Sequence, residues 1–168
     1  VAYELSIELA NLGHDVTILT TDLYEPNKRQ SISRCVEHIN GIKILRFKYL
    51  SDRLAWKHKF YLSLELMNHI WKNLQFYDIV HLQDLISPQA VITASCCKRY
   101  NIPYVLTTHG SASWLSSPKY LNSIYRKLFG NTILKNASKI FALNNDEVTA
   151  LMDLGVPKKK INIVPNGL

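Results

Sequence analysis

The sequence is short of several things. Cysteine occurs only at Cys35, Cys96 and Cys97. No pair is spaced C-x-x-C and the count is odd, so neither a disulfide framework nor a cysteine metal site is indicated. The simplest reading is reduced thiols in a cytosolic compartment, with the adjacent Cys96 and Cys97 as packing residues rather than nucleophiles. No run of about 18 apolar residues occurs, which argues against a membrane-spanning helix. No secretory signal is visible. The chain opens on Val1 within a helical pattern and closes just after a turn, so both ends are expected to be cut. Internal repeats and low-complexity segments are lacking, as are clustered metal ligands, and no metal is expected. Acidic residues number 13 against 20 basic ones. The net charge of +7 suggests an anionic partner but says nothing about fold.

What is present suffices for one domain. The 168 residues are 47% apolar and 20% charged, an ordinary globular balance with room for a sizeable core. Ala2, Leu5, Leu9 and Leu12 recur at helical spacing, and Gly13 is placed to close that helix. Val16 to Thr20 then reads as a strand, residues 21–33 as a polar loop, and Ile42 to Phe47 as a second strand. Residues 56–74 carry the most regular helical pattern, through Phe60, Leu64, Met67, Trp71 and Leu74. Residues 79–83 read as a strand, and Ser87 with Pro88 forms a helix start. Residues 103–107 form a strand, 111–118 a polar loop, 119–136 a basic helix and 139–143 a strand. Asn144 and Glu147 are spaced as a capping box for the next helix. Leu154 and Gly155 end that helix, and residues 161–164 form a last strand.

Strands alternating with helices point to an α/β fold with an open parallel sheet and right-handed crossovers. Ligands of such sheets bind beyond the carboxyl ends of the strands. The stretch 103–110 is therefore the focus. Tyr104, Val105 and Leu106 suit a strand buried on both faces. His109 falls at its carboxyl end, and Gly110 permits a sharp turn beside it. His109 either contacts a ligand there or merely closes the turn. His81 ends the preceding strand, followed by Gln83 and Asp84, where the same alternatives stand. Glu147 is read as a helix-capping residue in preference to a catalytic one.

The order of these pieces resembles the N-terminal domain of a family 4 retaining glycosyltransferase of the GT-B fold. The resemblance rests on Leu9, Ala10, Asn11, Leu12, Gly13, His14, Asp15 and Val16 with Thr20, then on Asp78, Ile79, Val80 and His81. It continues through residues 103–110, through Ala137, Ser138, Lys139 and Ile140 to Asn144, and through Leu154, Gly155, Val156 and Pro157. It ends with Ile163, Val164, Pro165, Asn166 and Gly167. It implies a Rossmann-like open parallel sheet with helices on both faces, one half of a GT-B fold. Residues 1–168 would be the acceptor-side domain, lacking its first strand, and the C-terminal nucleotide-sugar domain would be absent. The whole enzyme would transfer a hexose from a nucleotide-diphosphate sugar to an acceptor with retention, using that sugar as substrate and no cofactor. His109 would be the catalytic residue at the transferred sugar, without serving as a simple general base. His81, Gln83, Asp84, Gly110 and Asn144 would bind acceptor or substrate, and Asn166 and Gly167 would shape the interdomain connection. Asn144 stands where the family commonly has Ser. The chain alone would be inactive.

Two basic stretches qualify that picture. Residues 43–72 hold seven Lys or Arg against two acids, and residues 119–139 hold five and no acid. They would either rest on anionic lipid while a lipid-linked acceptor is reached, or be solvated helix faces. The first option implies a cytoplasmic protein, peripheral at the inner face of the membrane. The alternative function is a non-enzymatic α/β module binding an anionic ligand or nucleic acid. No RNA-binding signature or helix-turn-helix pattern supports it, so no nucleic-acid partner is expected.

Overall fold

The computed structural model describes residues 1–25, 28–29, 36–53, 55 and 61–166. Cys35, Trp56, Phe60 and Gly167 lie outside the described residues. The chain divides into two compact units, Val1–His69 and Ile70–Leu168.

In the first unit, helix α1 (Ala2–Asn11) ends as its Gly13 predicts. The Gly13 amide bonds to the Ala10 carbonyl at 2.9 Å and the His14 amide to that of Leu9 at 3.2 Å, with Gly13 at φ +90°. These are the two bonds of a Schellman motif, which glycine closes without a Cβ clash. Strand β1 (Val16–Thr21) pairs in parallel with β5 (Ile42–Phe47), from Val16 against Ile42 to Thr21 against Phe47. Short strands β2 (Leu23–Glu25) and β3 (Lys28–Arg29) pair antiparallel, within the stretch expected to be a loop. Strand β4 (Val36–Ile39), also not anticipated, runs antiparallel along β5. Asn40 and Gly41 join β4 to β5 with φ of +50° and +76°. Two successive positive φ angles suit the two-residue hairpin turn favoured by Asn-Gly.

Helix α2 (Leu64–Asn73) starts later than the expected residue 56, because residues 61–63 are not helical. Buried Ser63 caps it, its Oγ accepting from the Leu66 amide at 3.2 Å. A 3-10 turn, Leu74–Phe76, follows α2.

The second unit is a four-stranded sheet whose order β6-β7-β8-β9 is also the chain order. Its strands are β6 (Val80–Gln83), β7 (Tyr104–Thr107), β8 (Lys139–Ala142) and β9 (Ile161–Ile163), all parallel. Helix α3 (Pro88–Tyr100) connects β6 to β7, started by Ser87 Oγ accepting from the Ala90 amide at 3.0 Å. It stops at Asn101, left-handed at φ +56°. Between β7 and β8 the expected loop 111–118 is largely a helix, α4 (Ser111–Ser116). Ala112 and Leu115, three residues apart, are both fully buried, and that packing overrides a serine-rich composition. The expected basic helix is composite: α5 (Tyr120–Tyr125), a π-helical turn (Arg126–Gly130) and α6 (Asn131–Asn136). Gly130 packs closely there: a Cβ would stand 2.8 Å from Leu115 Cδ2, so the buried Leu115 side chain would have to shift. Helix α7 (Asn145–Asp153) leads from β8 to β9.

The second unit is thus an α/β architecture, a parallel sheet flanked by helices. Leu82, Leu106, Ile140 and Ala142 of the strands are buried with Cys97, Leu115, Ile133 and Leu151 of the helices. Full burial of a Leu or Ile side chain contributes about 1.5–3 kcal/mol each. Burial, with Cys96 adjacent, pushes the Cys97 thiol up to about 12, consistent with a packing role. Among the described residues no helix is long and apolar enough to cross a membrane.

Candidate functional site

The register of the second sheet brings the carboxyl ends of its strands level. Gln83 pairs with Thr107, and Thr107 with Phe141. Just beyond them lie Asp84, the turn of Thr108, His109 and Gly110, and the start of α7 at Asn144. The Val164 amide bonds to the Ala142 carbonyl at 2.8 Å, so the chain leaving β9 exits at the same edge. Asn166, two residues further, is exposed.

His109 and Gly110 turn the chain with φ of +45° and +87°. Glycine adopts that region readily, whereas histidine there is uncommon. The His109 ring is exposed, and its Nε2 lies 2.7 Å from Gln83 Oε1. In the tautomer that carries its hydrogen on Nε2, the ring donates to this amide oxygen and presents Nδ1 as an acceptor. Gln83, at the end of β6, and His109, two residues past β7, are thus joined in one pair.

His81 sits one layer deeper. Its Nε2 lies 2.7 Å from Thr107 Oγ1, and its ring stands edge-on to Phe141 with centroids 5.7 Å apart. Burial holds its pKa below the usual histidine value, with the nearby His109 adding to the effect. Asp84 adopts φ +117° and folds onto its own neighbour, Oδ1 accepting from the Leu85 amide at 2.6 Å. Tyr125 was not legible as part of this edge. Its hydroxyl donates to the Leu85 carbonyl at 2.9 Å, and burial, then Asp84, push its pKa up to about 12.

Asn144 caps α7 as expected, its Oδ1 accepting from the Glu147 amide at 3.0 Å. Glu147 does not complete the capping box. Its Oε2 accepts from the Leu143 amide at 2.7 Å, while Oε1 accepts from Thr108 Oγ1 at 3.0 Å and from the Gly110 amide. It is only 3% exposed. Sequence spacing could not reveal these bonds, because Thr108 and Gly110 are 39 and 37 residues away.

A cavity of 410 Å³ lies elsewhere, between Asn131, Lys135, Gly155 and Lys160. Those residues gather at the amino ends of β8 and β9, away from His109. Lys160 Nζ there bonds to the carbonyls of Lys135 and Ala137 at 2.7 and 2.9 Å, closing the end of α6. Among the described residues no three His, Cys, Asp or Glu side chains gather as a metal site.

The sequence model of Glycosyltransferase Family 4 matches residues 1–168. The chain belongs to glycosyltransferase family 4. No curated protein matches it. Solved structures of Alr3699/HepE from Anabaena share the fold of this family 4 domain. The complex with UDP aligns at a TM-score of 0.57 and 13% identity, covering 91% of this chain and 44% of that one. The complex with UDP-glucose aligns at 0.55 and 15%, covering 90% and 44%. The complex with UDP and glucose aligns at 0.53 and 16%, covering 77% and 32%. This chain therefore spans under half the length of those structures.

Proposed function

We propose that this family 4 domain is the acceptor side of a glycosyltransferase that moves a hexose from a nucleotide-diphosphate sugar to a carbohydrate or lipid-linked acceptor, with retention. The observation that carries the reading is the His109–Gln83 pair at the carboxyl edge of the parallel sheet. Ligands of open α/β sheets bind at that edge. With Nε2 held by Gln83, Nδ1 is available to accept from a sugar hydroxyl, and the ring can steady charge as the glycosidic bond breaks. Donor binding falls mainly to a second domain of the whole protein, which would close over this edge near Asn166. The UDP and UDP-glucose seen with Anabaena Alr3699/HepE make UDP-sugars the first donors to try. Attack from the front face, with the departing phosphate assisting the acceptor proton, needs no general base from His109. No metal or cofactor enters the proposal.

The test uses the whole protein. His109→Ala should lower kcat by about 10²-fold, the scale of a lost transition-state hydrogen bond, with the far-ultraviolet circular dichroism unchanged. The 168-residue chain by itself should transfer no sugar. Turnover near wild type in His109→Ala would remove His109 from the mechanism.

We also propose contact with an anionic membrane at the cytoplasmic face. Tyr120, Leu121 and Leu128 are exposed by 79%, 73% and 62%, beside Lys119, Arg126 and Lys127. Apolar side chains set among basic ones suit the boundary between headgroups and acyl chains.

A further inference from the structure

We propose that Glu147 is a positioning residue for His109, acting through the turn at residues 108–110; this rests on the reading of His109 as the group that meets the sugar. Glu147 is buried, and its two carboxylate oxygens meet three donors. Two of those donors flank His109 in the chain. Thr108 Oγ1 donates from before it and the Gly110 amide from after it. His109 is thereby held between two anchored residues in a left-handed conformation that a non-glycine residue seldom adopts. The third donor, the Leu143 amide, ties the same carboxylate to the end of β8. The carboxylate thus sets where the turn stands relative to both strands, and so whether the imidazole reaches Gln83 on β6. The Gly110 amide points inward to Glu147, which leaves the His109 ring as the side of the turn offered to a ligand.

The donor set makes the role specific to a carboxylate. All three partners present hydrogens, so both oxygens must accept. Glutamine has one acceptor oxygen and an NH₂ group. In either amide orientation it would set its own hydrogens against a donor, leaving a buried group unsatisfied. Aspartate keeps two acceptors but is one methylene too short to span Leu143 and the turn together. Thr108→Val removes one donor and leaves the other two.

The experiment is nitrogen-15 NMR of the whole protein, reading the Gly110 amide and the imidazole nitrogens of His109, alongside its kinetics. Glu147→Gln is expected to move the Gly110 amide proton upfield and to change the balance of His109 tautomers from that of wild type. The kcat should fall about tenfold or more, as for a misplaced catalytic group, while KM for donor and acceptor stays within about twofold. Glu147→Asp should recover part of the loss. If Glu147→Gln fails to fold, Thr108→Val should give the same changes in smaller measure. An unchanged His109 tautomer in both variants overturns the proposal, whatever happens to kcat. Normal turnover of His109→Ala would instead sink the parent reading, and the catalytic role of Glu147 with it, even where the turn is disturbed.

Discussion

At the scale of single residues, His81 gives a pH signature. Its pKa in the folded chain lies below the ordinary 6.5, mainly through burial. Below 6.5 the unfolded chain therefore binds a proton that the folded chain refuses, so stability falls as pH drops through that value. The fall ends once the folded His81 itself protonates. His69 is shifted in the same direction by burial, with Lys43 adding, so wild type carries both contributions. Urea midpoints measured from about pH 7 to about pH 5 should fall more steeply in wild type than in His81→Gln. Equal slopes would mean that His81 is not held neutral. The sequence placed Gln83 and His109 at the carboxyl edge, as the structure does, but His81 lies inside β6 rather than at its end. It was silent on Thr108 and Tyr125, and it assigned the Glu147 side chain to the wrong amide. A hydrogen bond spanning almost 40 residues leaves no local pattern to read.

At the scale of elements, most of what was legible came from caps. Ser87 with Pro88, Gly13, Asn144 and Gly155 act where their chemistry predicts, because each satisfies backbone groups that the last turn of a helix cannot. Asn144→Ala should lower the unfolding free energy by about 1 kcal/mol, whereas Asn144→Ser should be close to neutral, since serine caps as well as asparagine. Chemical denaturation checks this, and a neutral Asn144→Ala would show that the cap contributes nothing. Three elements escaped the sequence for different reasons. Strand β4 was signalled by Asn40 and Gly41, a hairpin pair that went unused. Helix α4 forms only because Ala112 and Leu115 find a core to bury in. Helix α2 starts at Leu64, capped by Ser63, since a cap outranks the periodic pattern of the sequence before it.

At the scale of the whole molecule, charge and exposed apolar surface coincide. No acid occurs between Asp84 and Asp146, a span holding Lys98, Arg99, Lys119, Arg126, Lys127, Lys135 and Lys139. Within it, Tyr120, Leu121 and Leu128 stand in solvent. Co-sedimentation with liposomes should rise with anionic lipid content and weaken with salt, at about 1 kcal/mol for each basic residue near the surface. Leu121→Ser with Leu128→Ser should reduce binding without altering its salt dependence. Binding that ignores lipid charge would sink the membrane reading.

Local chemistry determined by itself the alternation of strands and helices, the cap positions and the order of motifs that mark the family. Those signals act over a few residues, through backbone sterics and the unpaired groups at helix ends. The arrangement of the candidate site was decided only by tertiary structure. Parallel pairing sets Gln83, His109 and Asn144 along one edge, and a buried carboxylate from α7 fixes the turn between them. The physical reason is that the fixing bonds join strands through crossovers of many residues, and packing rather than sequence proximity brings their partners within reach.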